Sequence, residues 1–365
     1  ALRCAACRRV IRSRHYMVDN RAACSKRCVE RLLPHCAVCG RAVPGPHTEK
    51  DGKAYCSDRC LATVLPKCEI CGVALKRLVR IDGHAAWANS RALAQADVDH
   101  SGDWQPAGGR IERDAAGQAT GILVDGAMGL VEPHIPPPSP QLVDTALDLA
   151  TGTLARLGLT GVHDPGVGRD VLSLYRGKIE QGRFPLRVYA MADGTGATLD
   201  WLCARGPVAD PSGRLFMRSV KLYADGALGS RGAALLADYS DEPGNRGLLF
   251  ADVESLEADL RRVAACGLQA GVHAIGDRAN RVVLDAFERI AGEFPGNPGR
   301  HRIEHAQVLQ PADIPRFAEL GVIAAMQPTH ATSDMYWAEA RLGPDRLDGA
   351  YASVSYTHLR AHETL

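Results

Sequence analysis

Three polar side chains stand near the ends of apolar, strand-like runs in the second half of the chain. Lys221 lies in VKLYADGALGSRG, His273 in QAGVHAIGD and His305 in HRIEHAQ. The carboxyl ends of parallel strands meet at one edge of a sheet, so the three side chains can converge there. Neutral imidazole is a good zinc ligand, and three protein donors are the minimum for a catalytic zinc site.

Lys221 must change chemically before it can bind a metal, because an ammonium group has no acceptor lone pair. Burial at a strand end lowers the pKa of a lysine. The free amine can then react with carbon dioxide to give a carbamate, which ligates like a carboxylate and can bridge two metals. Taken singly, a strand lysine is more often a surface residue and a lone histidine a hydrogen-bonded core residue. Together, Lys221, His273 and His305 predict a site for Zn²⁺ or another divalent metal.

Glycine is frequent in the loop that follows Lys221, at positions 226, 229 and 232. Glycine has no Cβ, so such a loop lets its backbone approach another group closely. We therefore expect the backbone of this loop to approach another group closely.

Several long segments in one order carry a resemblance to a known family. The segments VKLYADGALGSRGAAL, VHAIGDRAN, HRIEHAQ and AAMQPTHATSD resemble the amidohydrolase superfamily, in its family 3 or YtcJ-like branch. RIDGHAAWANSRAL and GGRIERDAAGQATGILVD are similar to the segment that precedes the second barrel strand in that branch. The resemblance covers about residues 79–352 and implies metal-dependent hydrolysis of amide or other non-peptide C–N bonds in a small-molecule substrate.

The expected fold is an incomplete (β/α)8 TIM barrel. From residue 138 onward, apolar strands alternate with amphipathic helices, which indicates a parallel sheet. The family places its carbamylated lysine on strand 4 and the two histidines on strands 5 and 6, so the six strands seen here correspond to strands 2–7. The sequence has no counterpart of the strand 1 His-x-His pair or the strand 8 Asp. We therefore assign no catalytic residue and expect at most one weakly held barrel metal and little or no hydrolysis by this polypeptide alone.

Further polar residues near the predicted strand ends are candidates for substrate contact or for orienting the ligands. The candidates for the substrate mouth are His84, Asp225, Arg231, Gln327 and His330. Arg231 suits a substrate carboxylate, and a structural ion pair is equally compatible. His163 and Asp277 are candidates for orienting metal ligands. The alternative for both is a turn or a helix cap, and Asp277 is well placed as an N-cap.

Cysteine pairs recur with a period of 32 residues at the N-terminus. They are Cys4/Cys7, Cys24/Cys28, Cys36/Cys39 and Cys56/Cys60, followed by an incomplete copy at Cys68/Cys71. Four thiolates at such spacings indicate a closed structural Zn²⁺ site, and the pattern resembles LIM-like or treble-clef zinc fingers. The alternative is a disulfide framework, which requires an oxidising compartment for which the sequence carries no signal. We favour zinc.

The composition divides the chain. We predict zinc-finger repeats in residues 1–75, an amidohydrolase insertion segment in 76–137, a partial TIM barrel in 138–352 and a non-native tail in 353–365. The third zinc-finger copy stops where the hydrolase pattern begins, which favours a chimeric joint. We give no role to His358 or His362 in the tail.

Charge bears on the partners of the N-terminal module. Residues 1–75 carry 14 Lys/Arg against 6 Asp/Glu, a net charge of +8. A basic zinc module fits nucleic acid, but zinc-bound thiolates cancel about half of this charge. We prefer a protein-interaction or structural module, and the alternative for the whole chain is a zinc-finger binding protein with a non-catalytic barrel. No apolar run of about 18 residues occurs, so we expect no membrane partner and a soluble, cytoplasmic protein, and the sequence indicates no oligomeric state.

Overall fold

The structure is a computed structural model. It describes residues 77–80, 82–98, 103–135, 140–297, 299–353 and 355, and, before them, 4–7, 16–18, 21–23, 28, 32–33, 35–39, 41–43, 48–50 and 53–55. The chain divides into two compact units, residues 1–77 and 78–365. No helix of the described part is long and apolar enough to cross a membrane.

The N-terminal unit contains two short antiparallel hairpins. Strand β1 (Tyr16–Val18) pairs with β2 (Arg21–Ala23), and β3 (Thr48–Lys50) pairs with β4 (Lys53–Tyr55). The strands of the second hairpin are separated by an Asp-Gly pair, which is typical of tight turns. Equivalent strands of the two hairpins start 32 residues apart, which is the period of the cysteine pairs.

A four-stranded sheet precedes the larger parallel sheet of the second unit. Its strands are β5 (Arg77–Val79), β6 (Ala85–Ala88), β7 (Gly109–Arg113) and β8 (Ala119–Asp125), in the spatial order β5-β6-β8-β7. Strand β8 runs antiparallel to both β6 and β7. Helix α1 (Ser90–Gln95) covers one face, and the Asn89 side chain caps it by accepting the Ala92 N–H at 2.9 Å. The inner faces of these elements bury a small core that includes Leu93, Ile111 and Leu123.

The larger part of this unit is a curled parallel sheet of six strands. They are β9 (Gly161–Val167), β10 (Arg187–Asp193), β12 (Leu215–Tyr223), β13 (Gln269–Ala274), β14 (Arg302–His305) and β15 (Ile323–Ala325), adjacent in chain order. A two-residue strand, β11 (Val208–Ala209), joins β12 antiparallel. All six residues of β13 are buried, as expected for a parallel strand covered on both faces. The sheet confirms the prediction of a partial α/β barrel.

Helices follow most strands and enclose the sheet. They are α2 (Pro140–Arg156), α3 (Arg169–Glu180), α4 (Ala197–Arg205), α5 (Val253–Ala265), α6 (Asp277–Glu293), α7 (Ile314–Glu319), α8 (Pro328–Asp334) and α9 (Ala338–Leu342). Short 3₁₀ turns cover Gly126–Leu130, Glu132–His134, Pro311–Asp313 and Pro344–Gly349. Helix α5 buries Leu256, Leu260 and Val263, one face at helical spacing.

One predicted helix is divided in the structure. The sequence pattern predicts a single helix over residues 311–320, whereas a 3₁₀ turn over Pro311–Asp313 leads into α7. Pro315 has no N–H, so it cannot donate the helical hydrogen bond to the carbonyl of Pro311. Pro315 therefore lies in the first turn of α7, which begins at Ile314, and the preceding residues form a separate 3₁₀ turn.

Strand β9 is an edge of the parallel sheet in the described part of the chain, and its helix α2 carries exposed leucines. Leu142 and Leu149 on α2 are 59% and 67% exposed. An open strand edge beside exposed apolar side chains is a site for self-association.

We expect the double substitution L142K/L149K to reduce self-association, because it places two charges on this apolar face. Light scattering across a concentration series measures the effect, and Thr145→Lys, at an exposed polar position of the same helix, is the matched control. Equal scattering by the parent, the double variant and the control would show that this face does not drive association.

A disulfide joins two neighbouring helices of the barrel. Cys203 in α4 is bonded to Cys266, the residue that caps the end of α5, and the two lie 63 residues apart in sequence. Nothing in the local sequence marks this pair, because each cysteine is isolated and the bond is defined only by helix packing.

Under non-reducing conditions, we expect Cys203→Ser to lower the free energy of unfolding by roughly 4 kcal/mol, because a loop of this length is no longer closed in the unfolded chain. Urea unfolding with and without a reductant measures it. The variant should be insensitive to the reductant, and a parent protein that is equally insensitive would contradict the prediction.

Candidate metal centre

Lys221 lies on β12 and is buried in the interior. Its side-chain nitrogen has no hydrogen-bond partner among the described residues and lies 4.2 Å from the ring centre of Tyr223. Burial lowers the pKa of Lys221 to about 8, and the neighbouring charge of Glu304 opposes this shift. A substantial fraction of the amine is therefore neutral near pH 7–8, which is the form that reacts with carbon dioxide.

His273 on β13 and His305 at the end of β14 lie beside each other, with ring centres 4.6 Å apart. Burial lowers the pKa of His305 to about 3 and holds the pKa of His273 well below its usual range. Both imidazoles are therefore neutral near pH 7, the state in which a ring nitrogen can bind a metal.

The strand order places these donors together because the sheet keeps one register. Tyr223 pairs with His273, and Ala274 pairs with His305, so the three donors occupy the same carboxyl edge. The backbone of His305 has φ 78° and that of Ala306 φ 42°, a conformation uncommon for residues other than glycine. Such strain is concentrated at functional sites, where the surrounding structure holds it.

Gln327 fixes the orientation of His305. The side-chain Nε2 of Gln327 donates to the carbonyl of Ala325 at 2.9 Å. In this orientation of the amide, Oε1 of Gln327 faces His305 and accepts from its Nδ1–H. The proton on Nδ1 leaves the Nε2 lone pair of His305 for a metal. Gln327 is therefore placed as an orienting residue beside the donors.

Asp225 is fully buried and joins two loops. Its carboxylate accepts the backbone N–H groups of Ala234, Ile275 and Gly276 at 2.8–2.9 Å, and its Oδ1 lies 3.6 Å from Nε2 of His273. Burial raises the pKa of Asp225 to about 8, although the three backbone N–H groups act in the opposite direction. Asp225 thus ties the loop after β12 to the loop after β13.

Asp277 also connects separate segments of the chain. It is the first residue of α6, and its Oδ1 accepts the backbone N–H of Leu236 at 2.9 Å. Its Oδ2 accepts from Nε2 of Gln310 at 2.7 Å. The carboxylate therefore connects the start of α6 to two loops, and Gly276 rather than Asp277 occupies the N-cap position.

His84 and Asp125 belong to the four-stranded sheet and lie next to the candidate metal centre. Nδ1 of His84 lies 2.7 Å from Oδ1 of Asp125, and the His84 ring centre lies 4.9 Å from that of His273. The Asp125 side chain is fully buried, and its Oδ2 has no hydrogen-bond partner among the described residues. The His84 ring is thus the third imidazole in a row with His273 and His305.

His330 lies on the other side of His305, and its ring stacks on that of His305 at 5.4 Å. A pocket opens here; its lining is His305, Gln307, Met326, Gln327, His330, Ala331, Tyr351 and Ser353.

Gln307 and Tyr351 were not among the predicted site residues. Nε2 of Gln307 and the hydroxyl of Tyr351 both donate to Asp334, at 3.0 and 2.9 Å, and Gln307 also contacts Nδ1 of His330 at 3.1 Å. Gln307 is the last residue of the HRIEHAQ segment, a sequence signal that could have found it.

Arg231 and His163 have other neighbours. The guanidinium of Arg231 pairs with Asp241 at 2.9 Å and with Glu242 at 3.2 Å, the structural ion pair that the sequence left open. His163 lies on the edge strand β9 with its ring 5.2 Å from that of Tyr189. Within the described residues, no ring contact or hydrogen bond joins His163 to the three donors.

A second group of donors lies in the N-terminal unit. The sulfur atoms of Cys4, Cys7 and Cys28 lie within 4.8 Å of one another, the only such trio of His, Cys or carboxylate donors in the part of the chain described. His84, His273 and His305 are spaced more widely than this. Cys36 and Cys39 are described, whereas Cys24, Cys56 and Cys60, with Cys68 and Cys71, lie outside the described residues, as does the proposed tail beyond residue 355.

A partial α/β barrel with a lysine and two histidines at its strand ends is the class of structure that these observations define. The amidohydrolase family matches residues 76–358 of the chain, which extends past residue 352, where we expected the family pattern to end. The chain belongs to this family.

Individual relatives agree with the family match. YtcJ of Bacillus subtilis (strain 168), described as an amidohydrolase, is 36% identical over 290 residues, which are 77% of this chain and 52% of that protein. An N-substituted formamide deformylase of Arthrobacter pascens is 26% identical, over 69% of this chain and 47% of that protein. The crystal structure of an uncharacterized metal-dependent hydrolase from Pyrococcus horikoshii OT3 has a TM-score of 0.62 and 27% identity, covering 78% of this chain and 55% of that one. This chain spans about half the length of these relatives.

Buried neutral histidines make stability fall as the solution becomes acidic. Burial lowers the pKa of His301 from 6.5 to about 4, as it does for His273 and His305. The unfolded chain binds a proton near pH 6.5, before the folded chain does. Stability is therefore full above this pH and decreases as the pH falls towards 4.

We expect His301→Gln to make this pH dependence shallower, by roughly 3 kcal/mol over the whole range. Urea unfolding at a series of pH values between these limits measures it, with exposed His134→Gln as the control. Identical pH profiles for parent and His301→Gln would contradict the assignment.

Proposed function

We propose that this chain binds a divalent metal ion, with zinc as the first candidate, through Lys221, His273 and His305. The single observation that carries the proposal is the buried nitrogen of Lys221, which has no hydrogen-bond partner among the described residues and a pKa lowered to about 8. A buried amine of this kind is costly unless it is neutral or paired. Two neutral imidazoles beside it complete a donor set of the zinc type.

Lys221 enters this set as a carbamate. The neutral amine attacks carbon dioxide, an N–C bond forms, and one proton is released to solvent. The product carries a negative carboxylate in place of the ammonium. Its oxygens can accept where the lysine nitrogen could only donate, so the residue becomes a metal ligand.

The reaction that we propose for this centre is hydrolysis of amide or other non-peptide C–N bonds in small molecules. A bound ion of this type lowers the pKa of a coordinated water and polarises a substrate carbonyl. Of the chain's own residues, Gln327 orients His305, and Asp225 holds the loops of Lys221 and His273 in place. Gln307, His330 and Tyr351 line the adjacent pocket, where a substrate would contact them. Similarity to a relative named as an N-substituted formamide deformylase supports N-formyl amines as the first substrates to test.

We further propose that hydrolysis by this polypeptide is impaired. The sequence contains no His-x-His pair and no counterpart of the family's strand 8 Asp, so a second ion and a proton shuttle have no assigned residues. Robust release of amine from an N-formyl amine, or two ions bound in the barrel, would contradict this part of the proposal.

We expect Lys221→Ala, His273→Gln and His305→Gln each to lower the affinity for Zn²⁺ by more than about 100-fold, since each removes a direct ligand. Competition with a chelator measures the affinity, and exposed His134→Gln is the control. In the parent, ¹³C-labelled bicarbonate should give a carbamate signal that Lys221→Ala lacks. Unchanged affinity in all three variants would refute the metal centre.

A second proposal concerns residues 1–75 and rests on the Cys4, Cys7 and Cys28 cluster. We propose that each of the two complete cysteine repeats binds one structural zinc ion. The first site takes Cys24 as its fourth ligand, and the second consists of Cys36, Cys39, Cys56 and Cys60. The module then serves as a protein-interaction or structural unit, with nucleic acid as the alternative that salt-dependent binding to a DNA or RNA probe would support. Zinc analysis should find two ions that remain in the Lys221→Ala variant and that Cys7→Ser reduces to one.

A further inference from the structure

We propose that His84 is an additional donor to the barrel metal and that Asp125 is the positioning residue that holds it. The inference rests on the proposed metal centre and adds a residue from outside the parallel sheet. His84 comes from the loop before β6, and Asp125 is the last residue of β8. Both therefore belong to the four-stranded sheet that precedes the barrel.

The spacing of the imidazole rings fits shared coordination. Zinc binds imidazole nitrogen at about 2.0–2.1 Å, so two imidazoles on one tetrahedral ion have ring centres about 5 Å apart. The ring centres of His84 and His273 lie 4.9 Å apart, and those of His273 and His305 lie 4.6 Å apart. The donor nitrogens of the three histidines do not all lie within 4.8 Å of one another, so binding requires rotations about the side-chain bonds.

The contact with Asp125 selects the ring nitrogen that can bind. When Nδ1 of His84 donates the 2.7 Å hydrogen bond to Oδ1 of Asp125, the single proton of the neutral imidazole lies on Nδ1. Nε2 then keeps its lone pair. A histidine that donates its other N–H to a carboxylate is the usual arrangement for a metal ligand.

The loop after Lys221 is shaped around the Asp125 carboxylate. A Cβ at Gly226 or at Gly232 would lie 2.1 Å from Oδ2 of Asp125, so any larger residue at either position would displace it. This is the close approach that the glycine-rich sequence predicts. The backbone carbonyl of Gly226 also lies 3.4 Å from Nε2 of His273, which links the same loop to the donors.

Both the backbone and the side chain of Asp125 are in unfavourable states. Its backbone has φ 50° and ψ −121°, a region that residues other than glycine rarely adopt. Its Oδ2 is buried with no hydrogen-bond partner in the part of the chain described. The backbone strain and the unsatisfied buried oxygen both favour a functional role over a purely structural one. A purely structural contact could be made by residues without strained backbone and without a buried oxygen that lacks a hydrogen bond.

The competing explanation is that the His84–Asp125 pair only attaches the four-stranded sheet to the barrel. That role predicts a loss of stability without added metal and an unchanged metal affinity. A donor role predicts unchanged stability without added metal and a lower metal affinity. Measuring stability and metal affinity on the same variants separates the two explanations.

The experiment titrates the full chain with Co²⁺, whose visible absorption reports the number and kind of ligands. Two equivalents of Zn²⁺ are added first, which the thiolate sites of residues 1–75 bind in preference, so that no free Zn²⁺ occupies the barrel and the cobalt signal comes from it. We expect His84→Gln to lower Co²⁺ affinity and the intensity of the absorption, and Asp125→Asn to lower affinity about 10–100-fold. His134→Gln, at an exposed position without an assigned role, should match the parent.

Two further variants separate the outcomes. Gly232→Ala leaves every donor in place but displaces the Asp125 carboxylate, so it should weaken Co²⁺ binding in the same direction as Asp125→Asn. If His273→Gln abolishes binding while His84→Gln and Asp125→Asn bind as the parent does, the metal centre stands and the role of His84 is refuted. If His273→Gln also binds as the parent does, the proposed centre itself is wrong. Thermal unfolding without added Co²⁺ identifies any variant that fails to fold, and for such a variant the Gly232→Ala result decides.

Discussion

The constraint on which the candidate site depends is the burial of the Lys221 amine in the interior of a parallel sheet. A charged ammonium there would lose its hydration, and the nearest aromatic ring, that of Tyr223, does not replace it. Burial therefore shifts the balance towards the neutral amine and makes its reaction with carbon dioxide feasible at ordinary pH. The same desolvation keeps His273 and His305 neutral. One physical cause, exclusion of water from the strand ends, prepares all three donors.

Exclusion of water requires the loops that follow the strands to be held close to the sheet. A second buried group, the carboxylate of Asp225, holds them there. Asp225 accepts three backbone N–H groups from two loops, which pulls the segments after β12 and β13 together over the sheet. The glycines at 226 and 232 then allow the Asp125 carboxylate to enter the space between loop and barrel. The centre is therefore a product of three separate chain segments, and its shape depends on small residues as much as on the donors.

Much of this arrangement was predictable from the sequence, and the reason is local. The apolar runs ending in Lys221, His273 and His305 specify strands, and parallel pairing then brings their ends to one edge without any further information. The remaining features depend on distant contacts. The bond between His84 and Asp125 spans 41 residues, and the disulfide between Cys203 and Cys266 spans 63. Arg231 shows the same limit, because its partners Asp241 and Glu242 are selected by loop geometry that no periodic pattern encodes.

The sulfur chemistry of the two units makes opposite demands. The cluster of Cys4, Cys7 and Cys28 can bind zinc only as thiolates, whereas Cys203 and Cys266 are joined by oxidation. The disulfide lies in the outer helical layer, and Cys203 is exposed, so reductants can reach it. The sheet does not need this bond to keep its register, because its strands are joined by backbone hydrogen bonds and by a continuous buried core. In a reducing compartment the barrel donors would therefore keep their positions while the cysteines of both units remained reduced, and the two demands would no longer conflict.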